Sequence, residues 1–383
     1  VGSGIGVDPV WRISLSVILF MVCSGLGMYL YRVYRRDISL ARKTIASKGQ
    51  TGLELGRPVD GVELVEEQAV IALSHLPDTP GIAAGLFEKL SSGGINVDLI
   101  IQSTHEGNSN DITFTVHEES LARAKSLCEE MIATIGGNLS AEDGMSKISI
   151  SGAGIMGRPG IAASLFDKIS REGINLRLIA TSEVKVSCVI DKKLGSKALR
   201  AVASAFDLEE NQIYLNPINK TIEAPEVRGV ALDTDQAQLS VLHVPDKPGT
   251  AAALCAAMAD SGISLDAIVQ SERLHHDGSR DISFILKREN RQQADKALGP
   301  LLAQWPGSTL QEGPPIARVS AVGAGMPTIP GTAGRMFRAL ADSNINIAMI
   351  ATSEIRTSCV VSSNNGVKAL RAVHTAFHLG NDS

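Results

Sequence analysis

The strongest constraint on this chain is that it repeats itself. The stretch "PDTPG" at 77–81 returns as "PDKPG" at 245–249, and "GAGIMGRPG" at 152–160 returns as "GAGMPTIPG" at 323–331. Self-similarity over such a distance means that each copy folds as the same unit. The sequence therefore predicts a duplicated block.

Each block is itself double. The run "GIAAGLFEKLSSGGINVDLI" at 81–100 resembles "GIAASLFDKISREGINLRLI" at 160–179. The chain of 383 residues is long enough for several domains of ordinary size. We therefore predict four related modules rather than two.

The first module shows which elements such a unit contains. A β-branched, apolar run at 69–76 predicts a strand, and the apolar residues after Gly81 recur at helical spacing. Two strands joined by a polar hairpin follow, then an amphipathic helix and a last short strand. The order βαββαβ is the ferredoxin-like arrangement, so we predict an α+β fold in which two helices cover one face of each antiparallel sheet.

Composition and motifs exclude several classes of function. The net charge is −5 and aromatic residues make up only 4% of the chain, so we expect no nucleic-acid partner. The five cysteines form no CxxC pair, which argues against a disulfide framework and favours a reducing compartment. Cys188 and Cys359 lie in apolar alternating runs and are interpreted as small buried hydrophobes. No catalytic motif and no histidine spacing typical of metal sites occurs, so we expect no catalytic or metal-ligating residue.

The first 52 residues differ in character from the rest. Residues 13–31 carry no charge, and a run of this length just spans a bilayer, although serine and glycine dilute it. Three interpretations stay open. The run is a membrane anchor with basic residues on its cytoplasmic side, a remnant of a targeting sequence, or sequence foreign to the remainder.

The turn that opens each odd-numbered module is the candidate binding site. A helix N-terminus presents unpaired N–H groups that suit a carboxylate, and Asp78 just before it suits an ammonium group. Asp98 and Gln102 follow four residues apart, which predicts the same side of one strand. The set recurs in the third module as Asp246, Asp266 and Gln270. Because the even modules lack it, we predict sheets side by side, with an even module closing each polar pocket.

These motifs carry a family resemblance. The stretches "PDKPG" and "DISF", the pairing of "GAGM" with "TSEI", and the closing "KALRAVHTAF" resemble the regulatory region of aspartate kinases, which is built from ACT domains. Four modules rather than two resemble the cyanobacterial type. On this basis we divide the chain into a divergent segment (1–52), two linkers (53–66 and 217–234) and four ACT modules, I to IV (67–143, 144–216, 235–312 and 313–383).

The resemblance implies that free lysine and threonine act as feedback effectors in lysine, threonine and methionine biosynthesis. One effector would contact Asp78, Gly81, Ile82, Ala83, Asp98 and Gln102. The other would contact Asp246, Gly249, Thr250, Ala251, Asp266 and Gln270. Partner modules would add backbone groups of Asn175, Leu176, Asn346 and Ile347. Segments that the family ties to inhibition correspond to Thr181, Ser182, Glu183, Thr352, Ser353 and Glu354.

The resemblance also implies partners. It implies a homodimer formed through ACT modules, a location in the cytoplasm or a plastid-like stroma, and a kinase domain acting in cis or in trans. That domain opens with a Lys-Phe-Gly-Gly-Thr-Ser run, which this sequence lacks. ATP and magnesium, used for phosphoryl transfer to the aspartate side-chain carboxylate, would belong to that domain, so no cofactor is expected here. The alternative is a stand-alone amino-acid sensor without catalysis, tethered to a membrane if 13–31 is a true span.

Overall fold

The computed structural model describes residues 57–105, 109–155, 157–182, 184–217, 225–270, 274–323, 326, 331–353 and 355–380. The hydrophobic run at 13–31 and the whole divergent segment lie outside these residues. Within them, none of the helices has the length and apolar character needed to span a membrane.

The described residues alternate between strands and helices. The helices are α1 (Ile82–Ser92), α2 (Leu121–Ile135), α3 (Ile161–Arg171), α4 (Gly195–Ala205), α5 (Thr250–Asp260), α6 (Arg291–Leu302), α7 (Thr332–Asp342) and α8 (Gly366–Ala376). The strands are β1 (Gly61–Pro77), β2 (Ile100–His105), β3 (Ser109–His117), β4 (Asn138–Ser151), β5 (Leu178–Thr181), β6 (Lys185–Asp191), β7 (Ile213–Leu215), β8 (Gly229–Pro245), β9 (Ala267–Gln270), β10 (Ser279–Lys287), β11 (Thr309–Glu312), β12 (Ile316–Val322), β13 (Met349–Ser353) and β14 (Arg356–Ser362).

The predicted βαββαβ order is confirmed. Module I consists of the second part of β1, then α1, β2, β3, α2 and the first part of β4. Helix α1 buries Ala83, Leu86, Phe87 and Leu90, the helical spacing expected from the sequence. The antiparallel pairs β1–β3 and β2–β3 form the sheet that this face covers.

The long strands β1 and β8 tie neighbouring modules together, which the predicted linkers did not anticipate. Residues 61–65 form the start of β1 and pair with 147–151 of module II. Residues 229–233 form the start of β8 and pair with 318–322 of module IV. Each odd module is therefore inserted between two strands of the even module that follows it.

Modules also pair side by side, as predicted, but not with their neighbours in sequence. Strand β2 of module I pairs with β13 of module IV, where Gln102 lies opposite Ile350. Strand β5 of module II pairs with β9 of module III, where Ala180 lies opposite Val269. Across the first of these boundaries, the rings of Phe87 and Phe337 pack edge to face at 5.4 Å. The lateral partners are therefore I with IV and II with III.

Three apolar clusters hold these pairs together. One lies beneath the helices of modules II and III, and a second lies beneath the helices of modules I and IV. A third consists of strand residues from all four modules, including Val70, Ile101, Val269 and Met349. The two paired sheets therefore stack face to face, with their helices on the outside.

The described cysteines are buried and free. Cys188 and Cys359 have no exposed surface, which confirms their interpretation as core residues. Burial raises the pKa of the Cys128 and Cys255 thiols to about 12. These side chains are therefore uncharged at neutral pH and act as small apolar residues.

Candidate amino-acid-binding site

The Pro-Gly turn opens the first helix of every module, not only of the odd ones. Gly81 before α1 and Gly249 before α5 have φ angles of 102° and 96°, left-handed values that favour glycine. The corresponding glycines of the even modules have the same conformation. Glycine thus serves the backbone in all four modules, and the aspartate before it is what distinguishes modules I and III.

The first candidate site, here called the first clamp, lies between modules I and IV. It consists of Asp78, Gln102, Asn110, Asn346 and the start of α1 at Gly81, Ile82 and Ala83. Asn346 donates its side-chain amide to the Asp78 carboxylate at 2.6 Å. Gln102 donates its amide to the Ile347 carbonyl at 2.6 Å. The predicted residues of the odd module thus meet the predicted residues of an even module.

Gln102 retains an unused acceptor in the first clamp. The residue is 3% exposed, and its amide oxygen has no partner among the described residues. A buried polar atom without a partner is unfavourable, because it has lost its hydrogen bonds to water. A hydrogen-bond donor placed here, such as an ammonium group, would satisfy this oxygen.

The second clamp repeats this arrangement between modules II and III. It consists of Asn175, Asp246, Gln270, Arg280 and the start of α5 at Gly249, Thr250 and Ala251. Asn175 donates to the Asp246 carboxylate at 2.9 Å, and Gln270 donates to the Leu176 carbonyl at 3.0 Å. The cleft that these residues line holds only about 20 Å³ of free space, room for about one water. An amino acid could therefore bind here only if some of the lining side chains moved.

Two residues of the clamps, Asn110 and Arg280, are not among those predicted from the sequence. Asn110 donates to Asp78 at 2.5 Å, and its counterpart Arg280 approaches Asp246 with Nε at 2.9 Å from the carboxylate. The Arg280 contact is a charge pair rather than an aligned hydrogen bond. The internal repeat could have indicated both residues, because "SND" at 109–111 of module I corresponds to "SRD" at 279–281 of module III.

Asp98 and Asp266 do not join the clamps. Asp98 forms an ion pair with Lys147 of module II. Asp266 lines clefts with Thr181 and Ser182 instead of contacting Asp246. The expected alternation fails because β2 begins only at Ile100, so Asp98 precedes the regular strand. The structure thus separates these two aspartates from the other predicted ligands.

The segments expected to be tied to inhibition lie at the lateral boundaries. Thr352 accepts a hydrogen bond from the Ile100 amide of module I at 2.9 Å, and Thr181 accepts one from the Ile268 amide of module III at 2.9 Å. Ser182 and Ser353 bond within their own turns. Glu183 and Glu354 lie outside the described residues. The two threonines therefore join the paired edge strands beside each clamp.

Replacing Thr352 by Val should destabilise the fold. The substitution keeps the shape of the side chain but removes the hydroxyl that accepts from the Ile100 amide. A buried amide without an acceptor lowers the stability of the fold by about 1–3 kcal/mol. Urea denaturation measures this free energy of unfolding. Thr352→Ser retains the hydroxyl and serves as the matched control, so equal stabilities of the Val and Ser proteins would contradict the contact.

Helices α1 and α7 add an ion pair next to the first clamp. Arg338 donates to both carboxylate oxygens of Glu88, at 2.7 and 2.5 Å. These hydrogen bonds hold the pKa of Glu88 below its usual range. The pair joins module I to module IV on the helix side, whereas Gln102 and Thr352 join them within the sheet.

Outside the clamps, the described residues form a further cleft and no metal-binding group. A cleft of about 440 Å³ lies beside β1 and is lined by His75, Asp111, His275 and His276, but it contains no clamp residue. The described residues include no group of side chains arranged to hold a metal ion.

Comparison with known proteins identifies the modules. Profiles of the ACT domain match residues 74–131, 148–206, 237–303 and 319–377, which together make up more than half of the chain. The chain belongs to the ACT-domain family. Each matched range falls within one of the four predicted modules, so this family accounts for both the repeat and the fold.

Individual relatives confirm the resemblance to the regulatory region of aspartate kinases. The aspartokinase of Thermus thermophilus is 42% identical over 153 residues, which are 40% of this chain and 38% of that protein. Aspartate kinase of Pseudomonas putida is 35% identical over 152 residues, 39% of this chain and 37% of that protein. The crystal structure of aspartate kinase from Synechocystis superposes with a TM-score of 0.81 at 44% identity, covering 86% of this chain and 58% of that one. The ACT-domain chain therefore spans less than two thirds of the length of each of these relatives.

Proposed function

We propose that this chain is the regulatory part of an aspartate kinase and that it binds lysine and threonine as feedback effectors, one at each clamp. The observation that carries the proposal is the convergence, at each boundary between paired modules, of a carboxylate, amide groups and a helix N-terminus. The carboxylate suits the α-ammonium group of an amino acid, and the helix N-terminus suits its α-carboxylate.

Binding would change the contacts between paired modules. The amides of Asn346 and Asn175 contact the carboxylate oxygens that an α-ammonium group would use. An effector that displaces Asn346 removes a hydrogen bond that joins module IV to module I. Because α1 and α7 pack across the same boundary, the expected response is a rigid-body shift of one module against the other. Coupling of this kind amounts to about 1–3 kcal/mol.

A kinase domain, in cis or in trans, would respond to this shift. In this proposal, ATP and magnesium bind to the kinase domain and not to the ACT modules. Assembly into a homodimer through ACT modules belongs to the same proposal.

Isothermal titration calorimetry on this chain tests effector binding directly. We expect saturable binding of L-lysine and of L-threonine, each with a stoichiometry of about one, because each clamp offers one carboxylate and one helix start. The D-enantiomers are the matched controls, since they cannot align the same three groups. The absence of heat with both L-amino acids would contradict the proposed function.

A further inference from the structure

The two clamps differ in charge. In the first clamp, the described donors to Asp78 are the neutral amides of Asn110 and Asn346, and no cation among the described residues pairs with it. The amide oxygens of Gln102 and Asn110 are buried and have no partner among those residues. The first clamp therefore presents one uncompensated carboxylate and two unused acceptors.

In the second clamp, a cation already occupies the equivalent place. Arg280, whose side chain is 2% exposed, forms its ion pair with Asp246 at 2.9 Å. Its guanidinium group therefore compensates the charge of the Asp246 carboxylate before any effector is present. Lys247 adds a second cation to the cleft, at the position where the first clamp has Thr79.

The rims of the clamps differ in the same direction. The turn at Gly81 lies against Ala341, which is followed by Asp342 at the end of α7. The turn at Gly249 lies against Ser170, which is followed by Arg171 at the end of α3. Each of these exposed rim charges is paired within its own helix, Asp342 with Arg338 and Arg171 with Asp167, and each is screened by salt. They therefore contribute much less than the buried Arg280.

We propose that Asn110 and Arg280 determine which amino acid each clamp accepts. The first clamp takes an effector whose side chain carries an additional positive charge, such as lysine. Asp78 binds the α-ammonium group, the buried amide oxygens of Gln102 and Asn110 remain as acceptors, and no cation of the described residues pairs with Asp78 to repel a second ammonium group. The second clamp takes one with an uncharged side chain, such as threonine, because a second ammonium group would meet Arg280 and Lys247. The inference rests on the proposed function, to which it adds the chemical class of effector at each site.

The decisive comparison is between L-lysine and L-norleucine, which has the same straight side chain without the terminal ammonium group. Calorimetry on Asp246→Asn protein reports on the first clamp, and calorimetry on Asp78→Asn protein reports on the second. We expect lysine to bind about tenfold more tightly than norleucine at the first clamp, and more weakly than norleucine at the second.

Substitution at position 280 then tests the cause. In Asp78→Asn protein, Arg280→Met is expected to shift the affinity ratio about tenfold towards lysine, whereas Arg280→Lys keeps the charge and should leave the ratio unchanged. Asn110→Arg in Asp246→Asn protein should shift the ratio the opposite way.

The outcomes separate the two proposals. If neither lysine nor threonine binds to the unaltered protein, the proposed function is wrong. If both bind but the two clamps show the same lysine-to-norleucine ratio, the assignment to Asn110 and Arg280 is overturned while the proposed function stands. That ratio requires no change at Arg280 and is decisive even if a variant at this buried position fails to fold.

Discussion

Replacing Asp78 by Asn is expected to abolish one of the two proposed effector-binding events and to leave the other in place. The carboxylate is the only formal negative charge that the first clamp directs at an α-ammonium group. Losing one charge-assisted hydrogen bond costs about 1.5–3 kcal/mol, which is roughly a ten- to hundredfold loss of affinity. The fold should persist, because the oxygen of an Asn side chain can still accept from Asn110 and Asn346.

Asp246→Asn provides the reciprocal control. It should lower the affinity of the second clamp and leave that of the first unchanged. In separate calorimetric titrations, the two variants should therefore lose different effectors. Asp246→Asn also removes a carboxylate from the buried Arg280, so we expect it to melt at a lower temperature than Asp78→Asn. A thermal melt without ligand sets a titration temperature at which both proteins are folded. Full binding of both effectors to both variants would exclude the aspartates as ligands.

Most of the fold could be predicted because its signals are local. Helix α1 was visible in the spacing of Leu86, Phe87 and Leu90, and the repeat extended that assignment to all four modules. The lateral pairing could not be predicted. Strands β2 and β13 join through backbone groups, which carry no sequence signature, so nothing indicated that module I pairs with module IV.

The sequence indicates those candidate-site residues that lie in a turn before a helix. It does not indicate those that reach the site through the register of paired strands. Asp78 precedes a helix start, which the sequence shows directly. Arg280 reaches Asp246 because β10 pairs with β8 in a register that places Arg280 opposite Val244. Such a register cannot be predicted from a single sequence. The spacing of Asp98 and Gln102 predicts one side of a regular strand, but Asp98 precedes β2. There the Leu99 amide donates to the Thr115 side chain instead of to a neighbouring backbone carbonyl.

Asp98→Asn separates the structural assignment of this residue from the sequence-based one. In the structure its carboxylate is paired with Lys147, whose side chain is 5% exposed and lies between the stacked sheets. Removing the carboxylate leaves a buried ammonium group without its partner, and breaking a buried pair in this way costs about 3–5 kcal/mol. We expect the lower end of that range, because Asp98 itself is 34% exposed and water can partly replace it. The free energy of unfolding in urea should therefore fall by about 3 kcal/mol.

Asp266→Asn is the matched control, since the described residues provide no ion pair for this counterpart in module III. Its effect on the free energy of unfolding should stay within about 0.5 kcal/mol. Binding of lysine and threonine should keep its stoichiometry in both variants at temperatures where they are folded, because neither aspartate reaches a clamp. If Asp98→Asn instead lost one bound effector and kept its stability, Asp98 would be an effector ligand, as the sequence predicts. Its ion pair with Lys147 would then not contribute to the stability of the fold.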